Sequence, residues 1–360
     1  MPKRIEGQVI VITGASSGIG LATAQAAARS GARVVMAARN AGDLHNAADD
    51  IRREGGEAIA VQADVAVFEQ VELLANRAIE EFGRIDTWVN CAAVSAYATF
   101  VEQPLEDIRR IMDVNFLGQV HGAKAALPHL EQSAGALICV GSTLSDRGVP
   151  LQGAYCASKH ALKGWLDSLR VELQHAGSAV RVTLVKPSSV NTPLFNKAKT
   201  QLGVMPQPIP PVYEPELAAR VILRAAAGDE RDAFVGGAGK FLSITERLSP
   251  RLVDVQQRLQ GFDSQMTTWA KGADAPSNLY DPVAHDGGVR GDFTRTSHRR
   301  SAYQAVEADA VVFSLLASSV LVFGAQLLQV SSQRRFAPAV MKTAAAAFAG
   351  KALLTAFYEG

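Results

Sequence analysis

The sequence has few cysteines and histidines and almost no net charge. Its three cysteines, Cys91, Cys139 and Cys156, form no CxxC pair, and its seven histidines lack the spacing of metal ligands. We therefore expect small buried thiols in a reducing compartment, with neither a disulfide framework nor a metal site. A net charge of +1 provides no overall field for nucleic acid, so we expect no nucleic-acid partner.

The amino terminus lacks the pattern of a signal peptide. The segment MPKRIEGQ is followed at once by the apolar run at 9–12, which leaves no room for a leader. We therefore expect a cytoplasmic catalytic part. The chain has enough apolar material for a large core, since 48% of its 360 residues are hydrophobic.

Apolar runs alternate with helical patterns over roughly the first 240 residues. The predicted strands are 8–12, 32–37, 57–61, 86–89, 136–140, 180–185 and 232–235, and the predicted helices are 18–30, 40–54, 67–82, 104–130, 153–175 and 214–227. This alternation predicts an α/β fold, a doubly wound parallel sheet with helices on both faces. Such sheets bind ligands at the carboxyl ends of their strands.

A glycine-rich turn, TGASSGIG at 13–20, joins the first predicted strand to the first predicted helix. Glycines let the backbone approach a pyrophosphate, and the helix N-terminus supplies N–H donors and a partial positive charge. We therefore predict a dinucleotide cradle formed by Gly14, Ser16, Ser17, Gly18, Ile19 and Gly20.

Four polar residues beyond the cradle suggest a site of proton transfer: Asn115, Ser142, Tyr155 and Lys159. Tyr155 and Lys159 are four residues apart, so they share one face of a predicted helix. A free tyrosine has a pKa of about 10, too high for a base at neutral pH, and a nearby lysine charge favours the phenolate. A cofactor cradle and a proton-transfer site in one chain predict hydride-transfer chemistry.

The order and spacing of these motifs resemble the short-chain dehydrogenase/reductase family. The residues that carry the resemblance are TGASSGIG at 13–20, Asp64-Val65, NCAA at 90–93, Asn115 in DVNFLG, Ser142 in VGSTLS, YCASK at 155–159 and KPSSVNTP at 186–193. The resemblance implies an oxidoreductase with a Rossmann fold that interconverts an alcohol and a carbonyl. Tyr155 would be its general acid/base.

The same resemblance implies roles for individual residues. Ser142 would orient the substrate oxygen, Lys159 would bond the nicotinamide ribose, and Asn115 would hold a water in a proton relay. The further cofactor contacts that it implies are Ile19 at the ring system, Asp64 and Val65 at the adenine, Asn90 beneath the cofactor, Pro187, and Thr192 at the carboxamide. From the sequence alone, Asp64 is equally well explained as the cap of the next helix.

Cofactor choice depends on the end of the second predicted strand. A site that selects NAD carries an acidic residue there for the ribose hydroxyls. This chain has Ala37-Ala38-Arg39-Asn40 with no carboxylate, and Arg39 can pair with a 2′-phosphate. We therefore expect NADP(H) rather than NAD(H), the alternative being that Arg39 is an ordinary exposed arginine.

Two positions depart from the pattern of the family. Ala93 and Ser188 stand where its members usually have glycine. Glycine permits backbone conformations that alanine and serine resist, so these replacements put the local geometry near the nicotinamide in doubt. The expected substrate loop, roughly 194–215, is partly apolar and rich in proline, which favours an apolar substrate.

The rest of the chain carries no equally specific resemblance. We divide the chain into a catalytic domain (1–248), an amphipathic helix with a linker (249–303) and a hydrophobic helical tail (304–360). The helix is predicted from an apolar stripe formed by Leu252, Val255, Leu259, Phe262, Met266 and Trp269. It either packs on the core or lies on a membrane surface.

The tail contains 19 mostly apolar residues at 310–328, within a stretch free of charge from 310 to 333. About 20 such residues span a bilayer, so we expect a membrane anchor, with a buried or dimer-forming helix as the alternative. We also expect a homo-oligomer. A second hypothesis for the whole chain is a nucleotide-binding scaffold with vestigial catalysis and a tail for assembly, but a scaffold need not keep all four polar residues.

Overall fold

The computed structural model describes residues 3–284, 287–301 and 303–304. Contacts divide the chain into two units, Met1–Ser301 and Ala302–Gly360, and nearly all described residues belong to the first. The predicted domain boundary at residue 248 stays a prediction, but residues 249–301, which we call the extension, belong to the same unit as the catalytic residues.

A seven-stranded parallel sheet forms the centre of this unit, in the order β11-β7-β6-β4-β1-β2-β3. The strands are β1 (Val9–Thr13), β2 (Arg33–Ala38), β3 (Glu57–Gln62), β4 (Thr87–Asn90), β6 (Ala136–Val140), β7 (Arg181–Pro187) and β11 (Asp232–Val235). Short strands outside this sheet are β5 (Ala96–Tyr97), β8 (Lys199–Thr200), β9 (Val204–Pro206), β10 (Val212–Tyr213), β12 (Met266–Ala270) and β13 (Ser297–His298). The strand order reverses between β1 and β4, which is where doubly wound sheets bind ligands.

Helices cover both faces of the sheet. They are α1 (Gly18–Arg29), α2 (Ala41–Arg53), α3 (Phe68–Phe82), α4 (Leu105–Met112), α5 (Gly118–Ser133), α6 (Gly153–His175), α7 (Leu194–Lys197), α8 (Pro215–Ala227), α9 (Gly237–Leu248) and α10 (Pro250–Gln260). Two apolar clusters, one on each face, bury the strands between them. The doubly wound α/β fold predicted from the alternating pattern is therefore confirmed.

The predicted amphipathic helix after Pro250 is shorter than its apolar stripe. Helix α10 ends at Gln260, and Met266 and Trp269 lie instead on β12, which pairs antiparallel with β9. Backbone pairing with β9 therefore overrides the helical spacing beyond Gly261. The stripe is not the buried face of α10 either, since Val253 is buried while Leu259 is 67% exposed.

The extension returns to the catalytic part at several points. Strand β13 pairs with β10, and Leu279 lies fully buried in one of the two main apolar clusters. Within the described ranges, no helix is long and apolar enough to cross a bilayer. The apolar run at 310–328, for which we predicted a membrane anchor, lies outside those ranges.

Candidate active site

A cavity of about 510 Å³ lies at the carboxyl ends of the parallel strands. The predicted site residues that line it are Gly14, Ser16, Ser17, Gly18, Ile19, Gly20, Arg39, Asp64, Val65, Ser142, Tyr155, Lys159, Pro187 and Thr192. The two other predicted residues, Asn90 and Asn115, are buried behind its wall. The fold thus brings the glycine-rich turn and the proton-transfer residues to one cavity.

Tyr155 and Lys159 lie one turn apart on α6, as their spacing predicts. The Lys159 Nζ atom lies 5.5 Å from the centre of the Tyr155 ring and donates to the carbonyl oxygen of Val140 at 2.9 Å. Burial raises the pKa of Tyr155, and a hydrogen bond with Ser142 opposes that rise only in part. Burial lowers the pKa of Lys159 to about 8. In this state the phenol is therefore a proton donor at neutral pH.

Ser142 is held in place by a cap at the end of β6. Its Oγ accepts from the backbone N–H of Leu144 at 3.0 Å, and the Ser145 hydroxyl accepts from the backbone N–H of Ser142 at 3.2 Å. These two bonds fix the Ser142 hydroxyl at the cavity wall. Because Oγ accepts from the backbone, its own proton can be donated to a substrate oxygen.

Asn115 is a buried residue that holds the backbone near the catalytic residues in place. It lies on a single π-helical turn, Asp113–Leu117, between α4 and α5. Its amide donates to the Val94 carbonyl at 2.9 Å and accepts from the Val94 N–H at 2.8 Å, and it also donates to the Ser158 hydroxyl at 3.2 Å. A π turn in an otherwise α-helical stretch is common at functional sites. The side chain thereby ties the loop after β4 to α6.

The glycine-rich turn needs glycine for reasons of space. Gly14 has φ +70°, and a Cβ there would lie 2.7 Å from the Cα of Ala92. A Cβ on Gly20 would lie 2.2 Å from the Gly14 carbonyl oxygen. Ser17 caps α1 without a side-chain hydrogen bond, and the carbonyl of Gly288 in the extension accepts from the Gly18 N–H at 2.9 Å. The turn therefore presents the positive end of a helix to the cavity.

Lys197 is a cavity residue that the sequence analysis missed. Its side chain is almost fully buried, and Nζ donates to the Ser17 hydroxyl at 2.9 Å. A lysine on the short helix α7 has no sequence signal that links it to a turn 180 residues earlier. It adds a positive charge to the glycine-rich turn, where an anion is expected.

Asp64 forms an ion pair instead of capping α3. Its Oδ2 accepts from Arg110 at 2.6 Å, while Oδ1 accepts from the Ala66 N–H at 2.9 Å. The residue that caps α3 is Val67. Burial acts to raise the pKa of Asp64, but the hydrogen bonds from Arg110 and Ala66 outweigh it, and the pKa is lowered. Next to it, Val65 accepts at its carbonyl from His121 at 2.8 Å.

Arg39 lines the cavity but does not project freely into solvent. Its guanidinium donates to the carbonyl oxygen of Tyr280 at 2.6 Å and also to that of Asn278. The neighbouring Asn40 donates from Nδ2 to the carbonyl of Val283 at 3.0 Å. The extension therefore crosses the end of β2 and holds this half-buried side chain, while the expected pairing of Arg39 with a 2′-phosphate stays a prediction.

The remaining predicted residues support the cavity floor. Asn90 donates to the Gln119 carbonyl at 3.0 Å and accepts from the Trp88 indole at 2.9 Å. The Pro187 carbonyl accepts from the Thr143 hydroxyl at 3.1 Å. Thr192 packs on the turn, since a Cβ on Gly18 would lie 3.2 Å from its Cβ.

The two replaced glycines do not disturb the backbone. Neither Ala93 nor Ser188 has a positive φ, so neither position needs glycine here. Ser188 also acquires a contact, since its hydroxyl accepts from the Gly239 N–H at 3.0 Å at the start of α9. That bond attaches α9 to the end of β7.

Apolar and neutral polar side chains line the rest of the cavity. The apolar ones include Leu144, Val149, Ile209, Pro210, Phe241 and Leu242, and the polar ones include Gln152, Gln207, Thr245, Gln256 and Gln257. Its charged lining residues lie elsewhere: Arg39 and Asp64 follow β2 and β3, Lys197 lies at the glycine-rich turn, and Lys159 lies beneath Tyr155.

Comparison with known proteins finds relatives over most of the chain. The sequence profile of the family described as short chain dehydrogenase matches residues 8–203. The chain is 40% identical over 322 residues to an uncharacterized oxidoreductase, YxnA, of Bacillus subtilis, covering 88% of this chain and 90% of that one. That match therefore continues past residue 203 into the extension. The chain is also 37% identical to an 11-beta-hydroxysteroid dehydrogenase A of Arachis hypogaea over 194 residues, 53% of this chain and 55% of the relative.

Two solved structures share the fold. A short-chain dehydrogenase/reductase from Burkholderia phymatum in complex with NAD has a TM-score of 0.63 and 25% identity, covering 78% of this chain and 99% of that one. An alcohol dehydrogenase from Thermococcus sibiricus complexed with 5-hydroxy-NADP has a TM-score of 0.56 and 27% identity, covering 64% and 96%. Structures of this fold thus hold either dinucleotide.

Proposed function

The chain belongs to the short-chain dehydrogenase/reductase family, and from this premise we propose that it is an NADP(H)-dependent enzyme that interconverts an apolar alcohol and its carbonyl compound. The observation that carries the proposal is the joint position of Tyr155, Ser142 and Lys159 in the cavity that the glycine-rich turn also lines. A proton donor and a phosphate cradle in one cavity suit hydride transfer, with a proton delivered to the same substrate.

The residues present fit a nicotinamide dinucleotide. The residues of the glycine-rich turn line the cavity, and the positive end of α1 together with Lys197 suits a pyrophosphate. Ser16, Ile19, Val65, Pro187 and Thr192 would line the remaining contacts. The dinucleotide supplies or accepts the hydride at the reacting carbon.

The chain's own residues handle the substrate oxygen and its proton. In carbonyl reduction, the Ser142 hydroxyl donates to the substrate oxygen and the Tyr155 phenol delivers the proton to it. The Lys159 ammonium below the ring stabilises the phenolate that this transfer leaves. Asn115 holds Val94 and Ser158 in place, and by resemblance it also supports a water in the proton relay.

Carbonyl reduction needs the protonated form of the Tyr155 phenol. Burial raises the pKa of Tyr155, so the phenol keeps its proton and is ready to act as an acid. Alcohol oxidation needs the phenolate instead, and it should therefore gain rate as the pH is raised. The positive charge of an oxidised nicotinamide would assist that ionisation.

The preference for NADP over NAD is supported by Arg39. The end of β2 carries this guanidinium and no carboxylate, and a guanidinium suits a 2′-phosphate. The two carbonyl oxygens of the extension hold the side chain at the wall of the cavity. The apolar side chains of the cavity, among which only neutral polar groups are interspersed, support a neutral and largely apolar substrate.

The proposal is tested by following NADPH oxidation with a panel of aldehydes and ketones, for wild type and Tyr155→Phe. Loss of the acid should cost on the order of 10²–10⁴ in kcat, with cofactor affinity nearly intact. The matched control is Tyr213→Phe, which removes the hydroxyl of another buried tyrosine, on β10. Retention of most of the activity in Tyr155→Phe would reject the proposed mechanism.

A further inference from the structure

A short segment of the extension lies across one end of the cavity. We call residues 278–283 the strap. Asn278, Pro282 and Val283 of the strap line the cavity next to Arg39 and Asn40. The residues that follow β2 meet the adenosine ribose in dinucleotide sites of this fold. The strap therefore covers the adenosine end of the site, which is not the end where the catalytic tyrosine acts.

The strap is anchored on the side of α4. Leu279 is fully buried in the core, and its carbonyl oxygen accepts from Arg110 at 3.0 Å. The Tyr280 hydroxyl donates to the buried carboxylate of Asp107 at 2.7 Å. Arg110 also pairs with Asp64, the residue expected at the adenine, so one guanidinium connects the strap to the cofactor wall.

The strap is also bonded to the loop after β2 and to α7. Arg39 donates to the carbonyls of Asn278 and Tyr280, and Asn40 donates to that of Val283. The Asn278 N–H donates to the Lys197 carbonyl at 3.0 Å. The segment is therefore joined to the loop after β2, to α4 and to α7.

One polar atom of the strap has no partner among the described residues. The Oδ1 atom of Asn278 is shielded from solvent and accepts no hydrogen bond there. A shielded acceptor without a donor is unfavourable, and a turn of the Asn278 amide towards the cavity that this residue lines would bring Oδ1 to an N–H or O–H group of a bound ligand. The ribose hydroxyls and the adenine amino group of a dinucleotide are donors of this kind.

We propose that the strap is part of the cofactor site, with Asn278 accepting from the adenosine portion and the anchored segment slowing cofactor release. This inference rests on the proposed function, because it assumes that the cavity holds a nicotinamide dinucleotide. The strap lies outside residues 8–203, the part of the chain that matches the family profile. An enzyme that ended before it would lack this wall and would exchange its cofactor faster.

The test measures cofactor release directly, without turnover. Full-length protein is loaded with NADPH, whose fluorescence reports binding, and NADP is added in excess in a stopped-flow instrument. Leu279→Ala removes the anchor while leaving the charges of the site intact. We expect the rate of cofactor release to rise about tenfold or more, because mutations that weaken binding act mostly on the dissociation rate. Asn278→Ala should weaken both NADPH and 2′,5′-ADP, which carries only the adenosine end.

Leu259→Ala is the matched control, because it makes the same change at a 67% exposed position of the extension. Its release rate should equal that of wild type. Asn278→Ala leaves the buried anchor in place, so it decides the question if Leu279→Ala does not fold. Unchanged NADPH and 2′,5′-ADP affinities in Asn278→Ala, with unchanged release from folded Leu279→Ala, would overturn the inference. Wild type that binds neither NADPH nor NADH would reject the proposed function as well.

Discussion

The Nζ atom of Lys197 lies 2.9 Å from the hydroxyl oxygen of Ser17 and donates a hydrogen bond to it. Ser17 caps α1 at the glycine-rich turn, so the contact places a lysine at the positive end of a helix. A lysine charge beside the positive end of a helix suits an anionic ligand, and the pyrophosphate of a dinucleotide is such a ligand.

Replacing Lys197 with Met should weaken the binding of NADPH and of NADH to the same extent. The variant removes a charge-assisted contact, worth roughly 1.5–3 kcal/mol, so the dissociation constants should rise about ten- to a hundredfold. The measurement is a fluorescence titration of each dinucleotide. Lys124→Met, at an exposed position of α5, controls for the loss of one positive charge. Equal affinities in wild type and Lys197→Met would show that the lysine serves only to hold Ser17.

Replacing Arg39 with Gln should weaken the binding of NADPH more than that of NADH, because the variant loses a 2′-phosphate partner as well as two bonds to the strap. The 2′-phosphate is the one group that distinguishes the two dinucleotides, and glutamine cannot match the charge of a guanidinium. We expect a loss of about one to two decades in NADPH affinity. Arg33→Gln changes the opposite end of the same strand and should alter neither affinity. An equal loss of affinity for NADH would mean that Arg39 acts only by holding the strap.

The pH dependence of stability should differ between wild type and Lys159→Met. Burial lowers the pKa of Lys159 to about 8, whereas the ordinary value is 10.5. Between these pH values the unfolded chain binds a proton that the folded chain does not, so the stability of wild type rises with pH. The expected gain relative to Lys159→Met is up to roughly 3 kcal/mol between pH 7 and 10.5.

Equilibrium denaturation of the cofactor-free proteins at several pH values checks this prediction. Groups away from Lys159 titrate alike in the two proteins, so the difference between them reports Lys159 together with the buried thiols of Cys91 and Cys139, whose pKa the lysine charge lowers against the effect of burial. Lys163→Met, one turn further along α6, should follow wild type because Lys163 is less buried. A constant difference between wild type and Lys159→Met across this range would contradict the lowered pKa.

The sequence predicted the sheet and the catalytic group because their signals are local or fixed in spacing. Strand β6 is a continuous apolar run, β11 is apolar after Asp232, and Tyr155 and Lys159 are separated by one helical turn. The predicted bounds of both strands agree with the structure, and so do those of α6. Because the strands are parallel, their carboxyl ends lie at one edge of the sheet, as the alternating pattern of strands and helices implies.

The sequence did not predict the contribution of the extension. Residues 272–297 have no periodicity, so their contacts depend on hydrogen bonds to backbone carbonyls such as those of Asn278 and Tyr280. Every residue offers the same backbone carbonyl group, and no side-chain pattern marks the carbonyls that accept a hydrogen bond. Lys197 was missed for a related reason, because its partner Ser17 is distant in sequence.

The last prediction concerns the tail. Deleting residues 304–360 should release the protein from membranes and leave an active enzyme. The motivation is the uncharged run at 310–333, whose 19 residues at 310–328 are nearly enough to span a bilayer as a helix. The catalytic residues, the strap and the β10–β13 pair all precede residue 304, so the cut removes none of them.

Flotation with lipid vesicles and size-exclusion chromatography distinguish a membrane anchor from a segment that packs against protein. Full-length protein should float with the vesicles, and the truncated protein should stay in the aqueous fraction with kcat within about twofold of wild type. A chain that lacks only 337–360 keeps the run at 310–328, and it should still float. If that run instead packs against protein, its loss exposes apolar surface, and the truncated protein should aggregate. Full-length protein that remains in the aqueous fraction without detergent, together with an aggregating truncation, would reject the anchor.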